Sequence, residues 1–284
     1  MGNYRPRTID RQLSQELMAF GAVVLTGPKW CGKTTTAENV AKSALYMQDR
    51  DNRDKYLQLA ETQPSLLLVG ENPRLIDEWQ IAPQLWDAVR FSIDRRKERG
   101  LYILTGSTVA NEAKKDHSGI GRISKLRMRT MSLFESGNST GEVSLGSLFS
   151  ADNVSGISDM TLGDIARQIV RGGWPDSVDE DDATAYRHVR GYCESLLESE
   201  INIPGGRLRD RERMRRIMKS LSRNISTSVT NVKILNDISC HASADESMHI
   251  NTLNEYIRTL EDIFVVENLP AWSPKLRSRT ATVA

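Results

Sequence analysis

The hydrophobic positions of the chain fall into short blocks separated by longer amphipathic or polar stretches. Tyr4 to Leu17 is polar and compatible with a helix. Ala22-Val23-Val24-Leu25-Thr26 then forms a continuous apolar run rich in β-branched residues, ended by Gly27, the pattern of a buried parallel strand. Lys33 to Ala44 carries helix formers and no breaker, which predicts a helix. Apolar stretches recur at Ser65 to Val69, at Leu75-Ile76 and at Leu101 to Leu104. Between them Leu85, Trp86, Val89 and Ile93 give 82–93 a helical period. Strands alternating with helices predict an α/β fold, a parallel sheet with helices on both faces.

The texture changes after about Ser136. Glycine, serine and asparagine crowd 135–158, a loop or linker composition. Thr161 to Val170 reads as a helix with Ile165, Ile169 and Val170 on one side, stopped by Gly172-Gly173 before Pro175. The acidic 176–182 reads as a solvated connector, and from Arg187 onward the pattern is helical. No internal repeat is visible. The expected division is a phosphate-binding α/β domain over 1–155, a helical lid or linker over 156–204, and a smaller C-terminal domain over 205–284.

Composition narrows the class. The 284 residues hold 38 Lys+Arg against 37 Asp+Glu, with 39% apolar and 26% charged residues. Mean hydropathy is −0.44. These values exclude a wholly disordered chain, a collagen-like repeat and a multi-span membrane protein. The near-zero net charge argues against a generally basic nucleic-acid coat. Cys31, Cys193 and Cys240 are far apart and fit neither a disulfide framework nor a paired metal site, so reduced thiols are expected. Met1 to Asp10 is polar and the run 20–25 is too short to span a bilayer, so a cytoplasmic protein without membrane attachment is expected.

The strongest chemical signal is Gly27-Pro28-Lys29-Trp30-Cys31-Gly32-Lys33-Thr34, a complete GxxxxGK[ST] pattern followed by Thr35. It follows the first strand and opens a helix, the context in which unpartnered backbone N–H groups turn toward phosphates. Gly27 to Thr35 are therefore the nucleotide-binding candidates. Lys33 would reach the β- and γ-phosphates, and the Thr34 hydroxyl would ligate Mg²⁺. Pro73 to Glu78 reads as a strand ending in two carboxylates. Asp77 is the candidate on the Mg²⁺ side and Glu78 the candidate general base that polarises water. After Leu101–Leu104 comes Thr105-Gly106-Ser107, where Ser107 is the candidate γ-phosphate or water contact and Thr105 has a structural role. Arg122 leads the arginines as a transition-state cation, ahead of Arg127, Arg129 and Arg171. His117 reads as a loop residue with no second ligand at metal spacing.

With these motifs in place, the chain resembles the bacterial and archaeal AAA-type P-loop ATP-binding proteins that carry an uncharacterised C-terminal domain. The resemblance rests on 27–35, 73–80, 104–108, 121–137, 171–175 and 268–279, which span nearly the whole chain in order. It implies ATP binding, ATP hydrolysis, Mg²⁺ and an AAA-like core, and it hints at a homo-oligomeric ring in which Arg122 could act between subunits. Members of that group run on past the segment ending at Arg279 into a nuclease-like region. This sequence stops at Ala284, so no function of that region is carried over.

In the last third, 231–239 and 250–260 read as two short helices followed by an extended run through Phe264, Val265 and Val266. Ile250, Leu253, Ile257 and Leu260 mark one buried face. Such an order resembles a winged helix, which grips DNA in other proteins. Glu255, Glu261 and Asp262 against Arg258 make a poor phosphate surface, however. Basic residues cluster instead at Arg207, Arg209, Arg211, Arg213, Arg215, Arg216 and Lys219. A solvated helix face, nucleic-acid contact and partner docking all remain open for them. The leading expectation is an Mg-dependent ATPase acting as a nucleotide-driven switch on a C-terminal interaction module, with ATP and ADP as ligands. The alternatives are a nucleotide-gated DNA-binding or protein-interaction module with little turnover, and a small-molecule phosphotransferase.

Overall fold

A computed structural model of the chain describes residues 4–107, 119–150, 153–199, 210–239 and 248–269. The run Ala22–Thr26 forms β1. Tyr102–Gly106 (β4) and Ile123–Arg127 (β5) flank it in parallel, with Ala22 opposite Tyr102 and Ile123, and Thr26 opposite Gly106 and Arg127. Arg74–Asp77 (β3) pairs with β4, and Ser43–Tyr46 (β2) pairs with β3. The sheet is wholly parallel, in the order β2-β3-β4-β1-β5. The chain leaves β1 to build the far edge and returns beside it. The crevice beyond the carboxyl end of β1 is therefore a topological switch point, where α/β sheets bind ligands.

Alternating β1 residues point into two separate cores. Ala22 and Val24 pack with Ile76, Tyr102 and Leu104, beneath Gln84–Arg96 (α4) and Arg53–Thr62 (α3). Val23 and Leu25 pack with Leu75, Ile103 and Leu126, and with Leu13 and Leu17 of Ile9–Ala19 (α1) and Ala37 of Lys33–Glu38 (α2). Covering both faces is what allows a strand with no polar side to exist. Each fully buried aliphatic side chain removed from water contributes about 1.5–3 kcal/mol.

Two local expectations are corrected and one strand is added. The helix expected over 33–44 ends at Glu38, and 43–46 is β2 instead. Pairing with β3 satisfies that backbone, which outweighs local helix propensity. The apolar stretch 65–69 is not a strand: Pro64–Leu68 is a 3₁₀ turn, with Leu67 and Leu68 buried and Leu66 exposed. Strand β5 carries no apolar block, because as an edge strand it buries only Ile123 and Leu126.

Two compact units divide the chain, Met1–Val189 and Arg190–Ala284. Beyond the sheet, the first unit contains Leu145–Ser150 (α5), Leu162–Arg171 (α6) and the start of Asp182–Ser199 (α7). Thr161 and Asp164 cap α6 reciprocally. Its Ile165, Ile169 and Val170 are exposed.

The second unit holds the end of α7, Arg211–Arg223 (α8), Asn231–Ser239 (α9) and Ile250–Asp262 (α10). Leu196, Met214, Ile217, Ile234, Leu253 and Leu260 form its core. The described residues of this unit contain no strand. The extended run expected at 264–266 is instead the closure of α10. Phe264 sits at φ 61°, its N–H donates to Glu261 O (3.0 Å), and Val265 N–H donates to Leu260 O (2.8 Å). This pair of reversed bonds satisfies the last carbonyls of a helix. Among the described residues, no helix is long and apolar enough to cross a membrane.

Candidate functional site

The site is built where β1, β3 and β4 end. After Thr26 the chain turns sharply: Gly27 has φ 154°, and a Cβ there would lie 2.1 Å from Met128 O, so only glycine fits. Trp30 takes φ 65° and is exposed, a strained conformation for a bulky side chain. Gly27, Pro28 and Cys31 are buried, whereas Lys29, Trp30 and Thr35 face solvent. Gly32 starts α2 without a side-chain cap, so the N–H groups of its first turn, Lys33 to Thr35, have no intrahelical acceptor.

Lys33 is buried at the centre of this loop. Its Nζ donates to Gly27 O (3.0 Å) and Pro28 O (2.8 Å). Burial lowers the pKa of the ammonium, opposed by Cys31 and by the Glu78 and Asp77 carboxylates. Burial likewise pushes the Cys31 thiol up, against the pull of Lys33 and Arg7. Cys31 is thus an inert packing residue of the loop.

Opposite Lys33 lies Asp77, the last residue of β3 and itself buried. Its Oδ1 accepts from Thr34 Oγ1 (2.8 Å) and from Thr105 Oγ1 (2.5 Å). The register explains the meeting: Ile76 pairs with Leu104, which sets Asp77 beside Thr105. Glu78 follows in the left-handed region at φ 53°, turning its side chain away from the sheet ladder. Its N–H donates to Thr105 Oγ1 (3.4 Å), and its Oε2 accepts from Ser107 Oγ (3.4 Å) and from Gln80 Nε2. A Cβ on Gly106 would lie 2.6 Å from Gln80 Oε1, so the glycine leaves room for that amide.

Lys33, Thr34, Asp77, Glu78 and Ser107 are therefore brought together as the motifs imply. Arg122 is not. It precedes β5 at the amino edge of the sheet, next to Gly21 and Ala22, and its Nε is 2.7 Å from Asp94 Oδ1. The whole length of β1 separates that edge from the loop, so Arg122 does not reach the loop of its own chain. Arg127, at the carboxyl end of β5, lies on the loop side. Thr108, His117, Arg207, Arg209 and Cys240, and the segment 270–284, lie outside the described residues.

The donor set suits Mg·nucleotide. Thr34 and Asp77 offer hard oxygens within hydrogen-bond distance of each other, beside a buried ammonium and a glycine loop. A Mg²⁺ ion typically takes one or two protein oxygens and completes its shell with water and phosphate. Gln80 and Arg7 are not among the site residues expected from the sequence. Gln80 lies within 73–80 and holds Glu78, two positions away, whereas Arg7 carries no local signal because its partners Cys31, Arg129 and Glu135 are brought to it by the fold.

Several of the basic residues expected as a cluster in the second unit are ion-paired. In α8, Arg215 is paired with Glu194 (3.0 Å) and Glu212 (3.5 Å), Arg213 with Asp210 (3.5 Å), and Arg223 with Asp237.

Residues 19–136 match the family model described as AAA domain, and 162–284 match one described as Domain of unknown function (DUF8612). The first match takes in the phosphate loop and all five strands, so the N-terminal unit carries an AAA-type P-loop core. No curated protein matches the chain. Among solved structures, AMPPCP-bound DnaA from Aquifex aeolicus is similar at 10% identity and a TM-score of 0.38, over 89% of this chain and 85% of that one. A katanin structure is similar at 13% identity and a TM-score of 0.36, over 91% and 89%. PCH-2 from C. elegans is similar at 14% identity and a TM-score of 0.26, over 89% and 65%. At such scores the assignment of the core rests on the family match and on the topology.

Proposed function

We propose that the protein binds Mg·ATP at the phosphate loop and hydrolyses it, using the nucleotide cycle to switch its C-terminal unit as an interaction module. The observation that carries this reading is the convergence of buried Lys33, Thr34 and Asp77 at the mouth of β1, with Thr34 Oγ1 2.8 Å from Asp77 Oδ1.

In this reading the Lys33 ammonium turns from the carbonyls of Gly27 and Pro28 to the β- and γ-phosphates, and the amides of 29–35 hold the remaining oxygens. Thr34 and Asp77 hold Mg²⁺, which when bound neutralises charge developing on the phosphates. Glu78 is the general base: Ser107 and Gln80 fix its Oε2, leaving Oε1 to take a proton from water. Thr105 positions Asp77. The strained backbone at Glu78 is consistent with a catalytic group held by its surroundings.

The pairing of Arg215 and Arg223 on α8 with Glu194 and Asp237 of the neighbouring helices favours a protein partner over nucleic acid for the C-terminal unit, because arginines already paired with carboxylates neutralise few phosphates. A DNA gel shift that weakens as salt rises would reverse that preference. The catalytic reading is tested by phosphate release with Glu78→Gln beside the parent. Turnover should fall by about 10²–10⁴-fold while Mg·ATP binding persists. Equal turnover by the two proteins would sink the assignment of the base, and absence of Mg·ATP binding by the parent would sink the function.

A further inference from the structure

Against the phosphate loop, at the Cys31 carbonyl, sits a second charged group that no motif marks. Arg7 precedes α1, and its side chain is only 4% exposed. Its three donor nitrogens each have a different acceptor: Nη1 donates to Cys31 O (2.7 Å), Nη2 to Arg129 O (2.8 Å) and Nε to Glu135 Oε1 (3.0 Å). Glu135 is equally enclosed, at 6%. Its Oε1 also accepts from Thr8 N (2.8 Å) and Thr8 Oγ1 (3.0 Å), and its Oε2 from Ser132 N (2.7 Å) and Ser132 Oγ (3.0 Å). A buried charge pair is tolerable only when such bonds satisfy its remaining valences, and here they do.

The same place gathers two segments that the nucleotide chemistry leaves unexplained, 121–137 and 171–175. Met131 N donates to Gly173 O (2.6 Å), and a Cβ on Gly173 would lie 2.2 Å from Met131 O. Pro175 and Met128 approach Gly32 from behind: a Cβ there would lie 3.5 Å from Pro175 Cγ and 3.6 Å from Met128 Cε. The N-terminal segment also touches α2, through Tyr4, whose hydroxyl is 2.7 Å from Asp10 Oδ1 and 3.2 Å from Thr36 Oγ1.

We propose that Arg7, fixed by Glu135, is a positioning residue for the phosphate loop, clamping the Cys31 carbonyl so that the loop amides face the polyphosphate. The geometry follows from the peptide unit. In a trans peptide the C=O and the following N–H point to opposite sides. The Cys31–Gly32 bond is trans, so holding Cys31 O against Arg7 turns Gly32 N–H to the other side of the loop. The planar fork of a guanidinium reaches two carbonyls and a carboxylate from three separate nitrogens, whereas the three donors of an ammonium all sit on one nitrogen and cannot span the same acceptors. The N-terminal segment is thereby part of the nucleotide site without touching nucleotide.

This inference rests on the proposed nucleotide binding, and its test separates the two. Arg7→Lys and Glu135→Gln keep bulk and polarity and are compared with the parent in two measurements. In steady-state hydrolysis, Arg7→Lys should raise KM for Mg·ATP by about tenfold or more, the scale of one lost charge-assisted hydrogen bond. Its kcat should stay within about threefold, since Glu78 and Ser107 are carried by β3 and β4, not by the clamp. General destabilisation would instead lower the active fraction and leave KM unchanged.

In hydrogen exchange without nucleotide, amides of 29–35 should exchange faster in both variants, with those of 102–106 unchanged. Parent-like KM together with parent-like exchange at 29–35 would overturn the clamp, as would uniform acceleration across the sheet. If the parent binds no nucleotide, the function fails and the exchange pattern alone decides the clamp.

Discussion

Lys33 and Glu135 show how single charges shape the site from opposite sides. Lys33 lies in the loop with two carbonyl acceptors, which polyphosphate oxygens can replace at the same nitrogen. Removing the ammonium leaves those carbonyls and any bound phosphate without their cation. Lys33→Ala is expected to weaken Mg·ATP binding by about 10²-fold or more, measured by titration with a fluorescent ATP analogue, since buried charge-assisted bonds are worth several kcal/mol when broken. Parent-like affinity would mean that the lysine does not meet phosphate.

Glu135 sets an acid limit. Burial pushes its carboxyl up, but N–H groups of Ser132 and Thr8 and the Arg7 charge outweigh that and bring it from the ordinary 4.5 to about 2. A carboxylate whose folded value is depressed stabilises the fold above its unfolded value and loses that contribution as pH falls. The loss therefore runs from about pH 4.5 toward pH 2. Its size is on the order of 3 kcal/mol. Urea denaturation across this range should show the decline in the parent and a flatter profile in Glu135→Gln. Identical profiles would remove Glu135 from the account.

At the level of elements, the ends of β1, β3 and β4 make the site because a parallel sheet sets their carboxyl termini side by side. Strand β1 hands its chain to a loop that passes within contact distance of Met128, just after β5, and this forces a glycine at position 27. Gly27→Ala must move one of two backbones. It is expected to destabilise the first unit by roughly 2 kcal/mol or more and to abolish nucleotide binding. A folded Gly27→Ala protein with unchanged affinity for Mg·ATP would refute the close approach.

Helix α6 offers a milder case. Thr161 accepts from Asp164 N and the Asp164 carboxylate accepts from Thr161 N, a complete cap. Thr161→Ala should cost about 1 kcal/mol, read by chemical denaturation.

For the molecule as a whole, ligand linkage gives the most direct check. A nucleotide that binds only the folded protein adds about 2.7 kcal/mol at a concentration of 100 Kd. For a unit of this size that raises Tm by about 5–10 °C. On the proposed ligation of Mg²⁺ by Thr34 and Asp77, the rise should occur with Mg·ATP and Mg·ADP and shrink with EDTA. A Tm that ignores nucleotide would contradict the site. The second unit has its own core, built from Met214, Ile217, Leu253 and Leu260, and so can respond as a body.

Local sequence alone determined the strand–loop–helix around Gly27–Thr34, the carboxylate pair closing β3 and the amphipathic face of α10. In each, neighbours within a few positions carry the physical cause: a run of β-branched residues, glycines where the chain must bend, isoleucines and leucines alternating one helical turn apart. It could not determine features whose cause lies far along the chain. Residues 43–46 become a strand because β3 offers them a ladder, and 123–127 because β1 has a free edge. Arg122 lies far from the loop because parallel pairing sends its end of β5 to the opposite rim. Arg7 finds Glu135 across 128 positions, and Asp77 finds Thr105 across 28. Burial, register and the satisfaction of buried charge are properties of packed neighbours, and only the tertiary structure decides who those neighbours are.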